Sequence, residues 1–420
     1  MRVAGAVRVP GDKSISHRAL IVGALAHGRS MVRDILRSDD VEHTAGVLRA
    51  LGVKIPPLAR EVVVSGRGPD ALTKPLTPLD CGNSGTTARL VAGVCASRPF
   101  ASRLVGDASL SRRPMRRIAD PLRAMGARVE LERGDGLPMD VEGGALHAIN
   151  WATETASAQV KSAILLAGTA ARVPVVVKEP TRSRDHTERM LRAAGAEVDV
   201  IASVVRLEPP ERLHAVALTV PADPSSAAFL CALAALADSG GLSLPQVCLN
   251  PTRTGFFRAL QRMGARLEMH GGGEQAGEEV GEIFCWSSAL HAIRVDAADI
   301  PAMIDELPVL ACVAARAEGT TTIRGAGELR VKESDRIATV AANLRAIGVE
   351  VAEYSDGMDV TGMKKPLEGR VVTRGDHRIA MAFGVLGRLD GNRIEIDDPA
   401  CVSVSYPDFW DDIRRATGGQ

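Results

Sequence analysis

The chain has 420 residues, 45% apolar and 24% charged, and its 51 Lys and Arg match 51 Asp and Glu. That length suits two or three domains with large cores, and the composition excludes global disorder. Zero net charge and twelve aromatic residues exclude a general nucleic-acid or membrane-surface binder, which needs a basic excess and stacking platforms.

The first element is a turn, Pro10-Gly11-Asp12, opening a helix with Lys13, Ser14 and, one turn on, Arg18. Its Gly-x-Lys-Ser lacks the upstream glycine of a nucleotide P-loop, but a helix start with a Lys and a Ser suits an anion. A phrase then closes each of five helices: Leu48-Arg-Ala-Leu-Gly52, Leu122-Arg-Ala-Met-Gly126, Leu191-Arg-Ala-Ala-Gly195, Leu260-Gln-Arg-Met-Gly264 and Leu344-Arg-Ala-Ile-Gly348. Such a Gly takes the left-handed C-cap, and a strand follows it. Spacings of 74, 69, 69 and 84 residues make the repeat a supersecondary block, five or six per chain. Strands are predicted at Glu61–Ser65, Val173–Lys178 and Ala215–Val220, and small-residue helices at Thr86–Ala96, Ser157–Ala171 and Ser225–Ala237.

Between these elements lie polar constellations. Asp80-Cys-Gly82-Asn83-Ser84-Gly85-Thr86-Thr87-Ala-Arg89 is a glycine-rich turn exposing N–H groups at a helix start. Gly106-Asp-Ala-Ser-Leu-Ser-Arg112-Arg113-Pro114-Met-Arg116-Arg117 has four Arg in its last six residues with no matching acids, which suits phosphate or carboxylate. Ser157-Ala158-Gln159-Val-Lys161 offers hydroxyl, amide and ammonium before an apolar helix, and Arg182-Ser-Arg184-Asp185-His186 adds cations. Val220-Pro221-Ala-Asp223 reads as a domain hinge, and the Gly- and Glu-rich stretch Gly271–Gly281 as a flexible loop with a solvated acid run. Asp305-Glu306 meets an apolar run, a setting for a part-buried general base. Arg330-Val-Lys332-Glu333-Ser-Asp335-Arg336 and Asp376-His377-Arg378 complete the set. Each motif alone reads equally as a capped or salt-bridged helix start; together they suit a substrate pair carrying several phosphates and carboxylates. Seven scattered Cys and nine scattered His lack metal spacing, so no metal or cofactor is expected and the thiols read as reduced and buried. The start leaves no room for a signal peptide and the apolar run Ala227–Ala237 is too short to span a membrane, so a cytoplasmic location is expected.

In this order, from Val9 to Pro407, the motifs closely resemble the 5-enolpyruvylshikimate-3-phosphate synthase family of the enolpyruvyltransferase superfamily. The resemblance implies an α/β fold of two pseudo-threefold lobes, each of three βαβαββ units: 13–220, and 1–12 with 221–420. It implies transfer of the enolpyruvyl group of phosphoenolpyruvate to the 5-hydroxyl of shikimate 3-phosphate, with Asp305 as base and Glu333 and Lys13 as the acid candidates. Lys13, Ser14, Arg18, Ser157, Ala158, Gln159, Arg184, Asp305 and Lys332 then contact shikimate 3-phosphate. Lys13, Gly85, Arg113, Gln159, Arg336 and Arg378 contact phosphoenolpyruvate. A monomer that closes on substrate is expected. A UDP-N-acetylglucosamine enolpyruvyltransferase, the nearest alternative, would carry Asn after the N-terminal Lys and a Cys on the Arg113 loop; an inactive phospholigand-binding relative would lack an acid–base residue. Two positions depart from the family pattern: Val404 stands where many members have Lys, and Ser84 where Ala is common. Gly85 is retained, which implies sensitivity to glyphosate. The two lobes differ in charge, +7 over residues 13–220 and −7 over the rest.

Overall fold

The computed structural model describes residues 1–132, 134–275 and 277–418. The chain divides into two compact units, one of residues 11–220 with 275–278, the other of residues 1–10, 221–274 and 279–420. Among the described residues there are twelve α-helices: α1 Lys13–Leu25, α2 Asp39–Ala50, α3 Gly85–Ala96, α4 Arg116–Ala124, α5 Ala158–Ala171, α6 His186–Ala193, α7 Pro224–Leu236, α8 Gly255–Arg262, α9 Leu307–Ala314, α10 Arg336–Ala346, α11 His377–Gly387 and α12 Phe409–Ala416. The predicted small-residue helices are α3, α5 and α7, and the three predicted strands form at Glu61–Arg67, Val175–Lys178 and Ala217–Thr219.

The block is clearest at residues 79–142. Strand Leu79–Asp80, α3, strand Ala101–Val105, α4 and strands Arg128–Leu131 and Met139–Glu142 follow in βαβαββ order. The first two strands pair parallel, and the closing hairpin adds antiparallel through Met139–Glu142. Residues 149–208 repeat this pattern around α5 and α6. The block holding α1 and α2 borrows its first strand, Ala217–Thr219, from the end of the unit, where it pairs parallel with His27–Arg33. In the other unit, Arg2–Val3 likewise serves as first strand beside Ser239–Cys248. The last block, around α11, has two parallel strands, Glu368–Val371 and Arg393–Ile396, and no closing hairpin among the described residues.

The first helix of each block is apolar nearly all round and buried; α7, α9 and α11 pack on one another within one hydrophobic core. The second helices keep a polar face outward and end in the repeated phrase. Gly52, Gly126, Gly195, Gly264 and Gly348 all take left-handed φ, between 88° and 108°. The N–H of the next residue returns to the Leu carbonyl four before the Gly, the longer bond of a Schellman cap. The residue three before the Gly (Arg49, Arg123, Arg192, Gln261, Arg345) donates its side chain to a carbonyl six residues on, at 2.7–3.0 Å. The phrase therefore carries two devices, a backbone cap and a side-chain clasp onto the following strand.

One expectation is corrected. Residues 271–281, read as a flexible loop, are the end of a hairpin formed by strands Leu267–Gln275 and Glu278–Trp286, with position 276 outside the described residues. Glycines leave few side chains to pattern, but pairing with a neighbouring strand supplies the backbone partners. Nor is the acid run wholly solvated. Glu278 is buried, 2.7 Å from His186 Nδ1.

Candidate active site

The helix N-termini gather the polar motifs. In the 11–220 unit, Asp12 caps α1 by accepting from Ile15 N at 2.8 Å, which fixes Lys13 and Ser14 in the first turn. Lys13 Nζ lies 2.8 Å from Asp40 Oδ2, both groups largely buried. Arg18 is buried one turn on: Nε donates to Thr187 Oγ1 at 2.7 Å, Nη2 to Ser162 Oγ at 3.0 Å and Nη1 to the Ser14 carbonyl at 2.9 Å. It thereby ties α1 to α5 and α6.

Ser84 caps α3, placing Gly85 at its first position. A β-carbon on Gly85 would lie 3.2 Å from Arg113 Nη1 and 3.3 Å from Arg89 Nη1, so two guanidinium groups crowd this one glycine. Arg113 Nη2 donates to Asn83 Oδ1, and Asn83 Nδ2 to Asp107 Oδ2. Arg89 donates to Gln159 Oε1 and, at 3.1 Å, to the Pro114 carbonyl, while Gln159 Nε2 donates to Thr86 Oγ1 at 2.9 Å. The motifs 82–89, 113–114 and 157–159, scattered over 78 residues of sequence, thus form one cationic cluster at two helix starts. Ser157 caps α5 and Ala158 is its first residue; Arg184 is half-buried in the loop before α6.

In the other unit, Asp305 sits in a short turn before α9, and Glu333 and Lys332 precede α10. Arg336, 1% exposed, organises them: Nη1 lies 3.3 Å from Asp305 Oδ1, Nη2 lies 2.7 Å from Glu333 Oε2, and Nε donates to Asp376 Oδ2 at 2.8 Å. Lys332 Nζ is 3.6 Å from Asp305 Oδ1. Burial opposes the charge on Arg336, but Asp376 and Glu333 outweigh it and raise the guanidinium further above its ordinary value. Asp376 caps α11, so Arg378 stands in that helix's first turn, its guanidinium carbon 6.0 Å from the Phe229 ring centroid. Asp305, Glu333 and Lys332 therefore share one connected network with Arg336.

Lys161, which the sequence offers as an ammonium at a helix start, is fully buried between Glu179 and Glu188, 2.8 Å from each. Their charges outweigh burial and raise the ammonium above its ordinary value. Sequence reasoning assigned no part to Arg89, Asp107, Asp376 or Glu179. Arg89, Asp107 and Asp376 stand inside the polar motifs at 80–89, 106–117 and 376–378; Glu179 directly follows a strand, and nothing local marks it. None of the seven cysteines is in a disulfide, and six are buried; burial pushes Cys95 up to about 11 and Cys401 up to about 12.

A family model described as EPSP synthase (3-phosphoshikimate 1-carboxyvinyltransferase) matches residues 1–413. The chain belongs to the EPSP synthase family. Relatives named 3-phosphoshikimate 1-carboxyvinyltransferase from Sulfurihydrogenibium sp. (strain YO3AOP1) and Aquifex aeolicus (strain VF5) are 45% and 46% identical to it. Each alignment covers 99% of this chain, with 98% and 97% of the relative. The solved EPSP synthase of Acinetobacter baumannii matches with a TM-score of 0.86 at 40% identity, over 99% of this chain and 96% of that one. The enolpyruvyl transferase NikO of Streptomyces tendae, 18% identical with a TM-score of 0.77, shares the fold. The fold shared with these structures is the α/β arrangement of βαβαββ blocks described above. No helix among the described residues is long and apolar enough to cross a membrane.

Proposed function

We infer that the chain transfers the enolpyruvyl group of phosphoenolpyruvate to the 5-hydroxyl of shikimate 3-phosphate and releases phosphate. It is an enzyme of the shikimate pathway, serving aromatic amino-acid synthesis. The observation that carries the reading is the Arg336 network: the guanidinium lies 3.3 Å from Asp305 and 2.7 Å from Glu333, and Lys332 lies 3.6 Å from Asp305.

Asp305 takes the proton of the 5-hydroxyl as its oxygen bonds to C2 of phosphoenolpyruvate, while Glu333 or Lys13 protonates the C3 methylene. The product of this half is a tetrahedral ketal phosphate. In the second half the new methyl group returns a proton, the double bond re-forms, and the C2–O bond breaks with its electron pair leaving on phosphate. Each positioned proton transfer contributes on the order of 10²–10⁴-fold. The remainder comes from orienting two polyanions, worth about 7–11 kcal/mol.

The 11–220 unit, with its positive charge, carries Lys13, Ser14, Arg18, Ser157, Ala158, Gln159 and Arg184 toward shikimate 3-phosphate. Lys13, Gly85, Arg113, Gln159, Arg336 and Arg378 act on phosphoenolpyruvate; Asp305 and Lys332 complete the acceptor contacts. The enzyme works as a cytoplasmic monomer. The test is phosphorus NMR of the purified chain with both substrates. Equal growth of inorganic phosphate and a new phosphomonoester supports the reading; unchanged phosphoenolpyruvate signal overturns it.

A further inference from the structure

The loops before α5 and α6 carry Ser157 and Arg184, and one buried carboxylate joins them. Glu179 directly follows strand Val175–Lys178 and is 1% exposed. Its Oε1 accepts from Ser157 N at 3.2 Å and from Ser183 Oγ at 2.6 Å, and its Oε2 accepts from Ser183 N at 3.3 Å. The same Oε2 lies 2.8 Å from Lys161 Nζ, which pairs equally closely with Glu188 on α6.

Two carboxylates thus face one buried ammonium, where charge balance needs only one. Among the described residues, Glu188 has no hydrogen-bond partner for either oxygen beyond this ion pair. Glu179 is the acid whose hydrogen bonds reach both loops. The arrangement recurs: Asp107, two residues past strand Ala101–Val105, accepts from Asn83 in the loop before α3 and from Leu110 N at 2.7 Å in the loop before α4. Asp397, directly after strand Arg393–Ile396, accepts from Thr373 N and Oγ1 in the loop before α11, at 2.9 and 2.8 Å. An acid at the carboxyl end of the second strand is a repeated means of fixing the loops that start the helices.

We propose that Glu179 is a positioning residue that sets the spacing of Ser157 and Arg184, and so the affinity for shikimate 3-phosphate, with Lys161 as its counter-ion. This rests on the assignment of Ser157 and Arg184 to shikimate 3-phosphate. Glu179→Gln leaves Lys161 and Glu188 as a balanced pair, so the fold is retained, but one amide oxygen cannot replace two carboxylate acceptors. Its KM for shikimate 3-phosphate rises about tenfold, the scale of a lost hydrogen bond or two, while kcat and KM for phosphoenolpyruvate stay within about twofold. Glu188→Gln changes the buried charge by the same amount and leaves all three values within about twofold. Thermal midpoints of both variants are measured alongside.

Equal KM shifts in the two variants, or a Glu179→Gln effect on kcat or on the phosphoenolpyruvate KM, overturn the proposal. Ser157→Ala separates the two levels. If it raises KM for shikimate 3-phosphate and Glu179→Gln does not, the positioning role alone falls. If Ser157→Ala leaves that KM unchanged, the substrate assignment falls and the proposal with it.

Discussion

Arg336 holds Asp376 with two hydrogen bonds, Nε to Oδ2 at 2.8 Å and Nη2 to Oδ1 at 3.2 Å, and neither group is more than 1% exposed. Asp376 also caps α11 through Arg378 N and accepts from Ser334 Oγ, so one carboxylate fastens the starts of α10 and α11. Removing it strands a buried guanidinium. Asp376→Ala is expected to lower stability by about 3–5 kcal/mol in urea unfolding. A loss under about 1 kcal/mol would show that Glu333 and Asp305 suffice to hold Arg336.

The crowding at Gly85 makes a second prediction. A methyl group there meets Arg113 and Arg89 at 3.2 and 3.3 Å, tighter than ordinary contact, so both guanidinium groups must shift by a few tenths of an ångström. The wild type is expected to be inhibited by glyphosate competitively with phosphoenolpyruvate. Gly85→Ala is expected to raise that inhibition constant by an order of magnitude or more and to raise KM for phosphoenolpyruvate. Millimolar inhibition constants for the wild type would contradict this.

Asp107 reaches the Arg113 guanidinium through Asn83. Asp107→Asn should therefore raise KM for phosphoenolpyruvate by about three- to tenfold and leave that for shikimate 3-phosphate within about twofold. Steady-state kinetics with each substrate varied in turn reads the difference. Equal changes in both constants would mean general loosening of the lobe.

His17 gives the molecule an acid-side weakness. Its ring is fully buried on α1, with Nδ1 2.7 Å from Thr44 Oγ1, and burial first, then Lys13 and Arg18, hold it well below its usual 6.5, with Asp12 opposing. Above pH 6.5 the ring is neutral folded or unfolded, and its contribution is whole. As pH falls below 6.5 the unfolded chain takes up a proton that the folded chain refuses, so stability drops by up to about 1.4 kcal/mol per pH unit until the folded-state value is reached. Urea midpoints between pH 7.5 and 5.5 should fall less steeply for His17→Asn than for the wild type. Parallel slopes would remove His17 as the cause.

Which features were legible in the sequence follows from the range of the interactions. The left-handed glycines at 52, 126, 195, 264 and 348 are local backbone requirements, so the block repeat shows in the residue string itself. The helix starts at Ser84, Ser157 and Asp376 are likewise capped from within a few residues. Partners that lie far off in the chain leave no such trace. Arg89 meets Gln159 across 70 positions, and Glu179 meets Ser157 across 22. Nothing near Lys161 in the sequence names its partners, which are two acids brought in by α6 and by the end of a strand. The hairpin at residues 267–286 was hidden by its glycines, since strand pairing there is backbone work that side chains do not announce.

The most direct measurement is the rate of phosphate release from phosphoenolpyruvate by the purified chain with shikimate 3-phosphate as acceptor, set against UDP-N-acetylglucosamine, with Asp305→Ala assayed alongside. Turnover with shikimate 3-phosphate alone, reduced at least about a hundredfold in a folded Asp305→Ala variant, is the expected result. Turnover with the nucleotide sugar, or with neither acceptor, would contradict the assigned reaction, and an undiminished Asp305→Ala rate would remove Asp305 as its base.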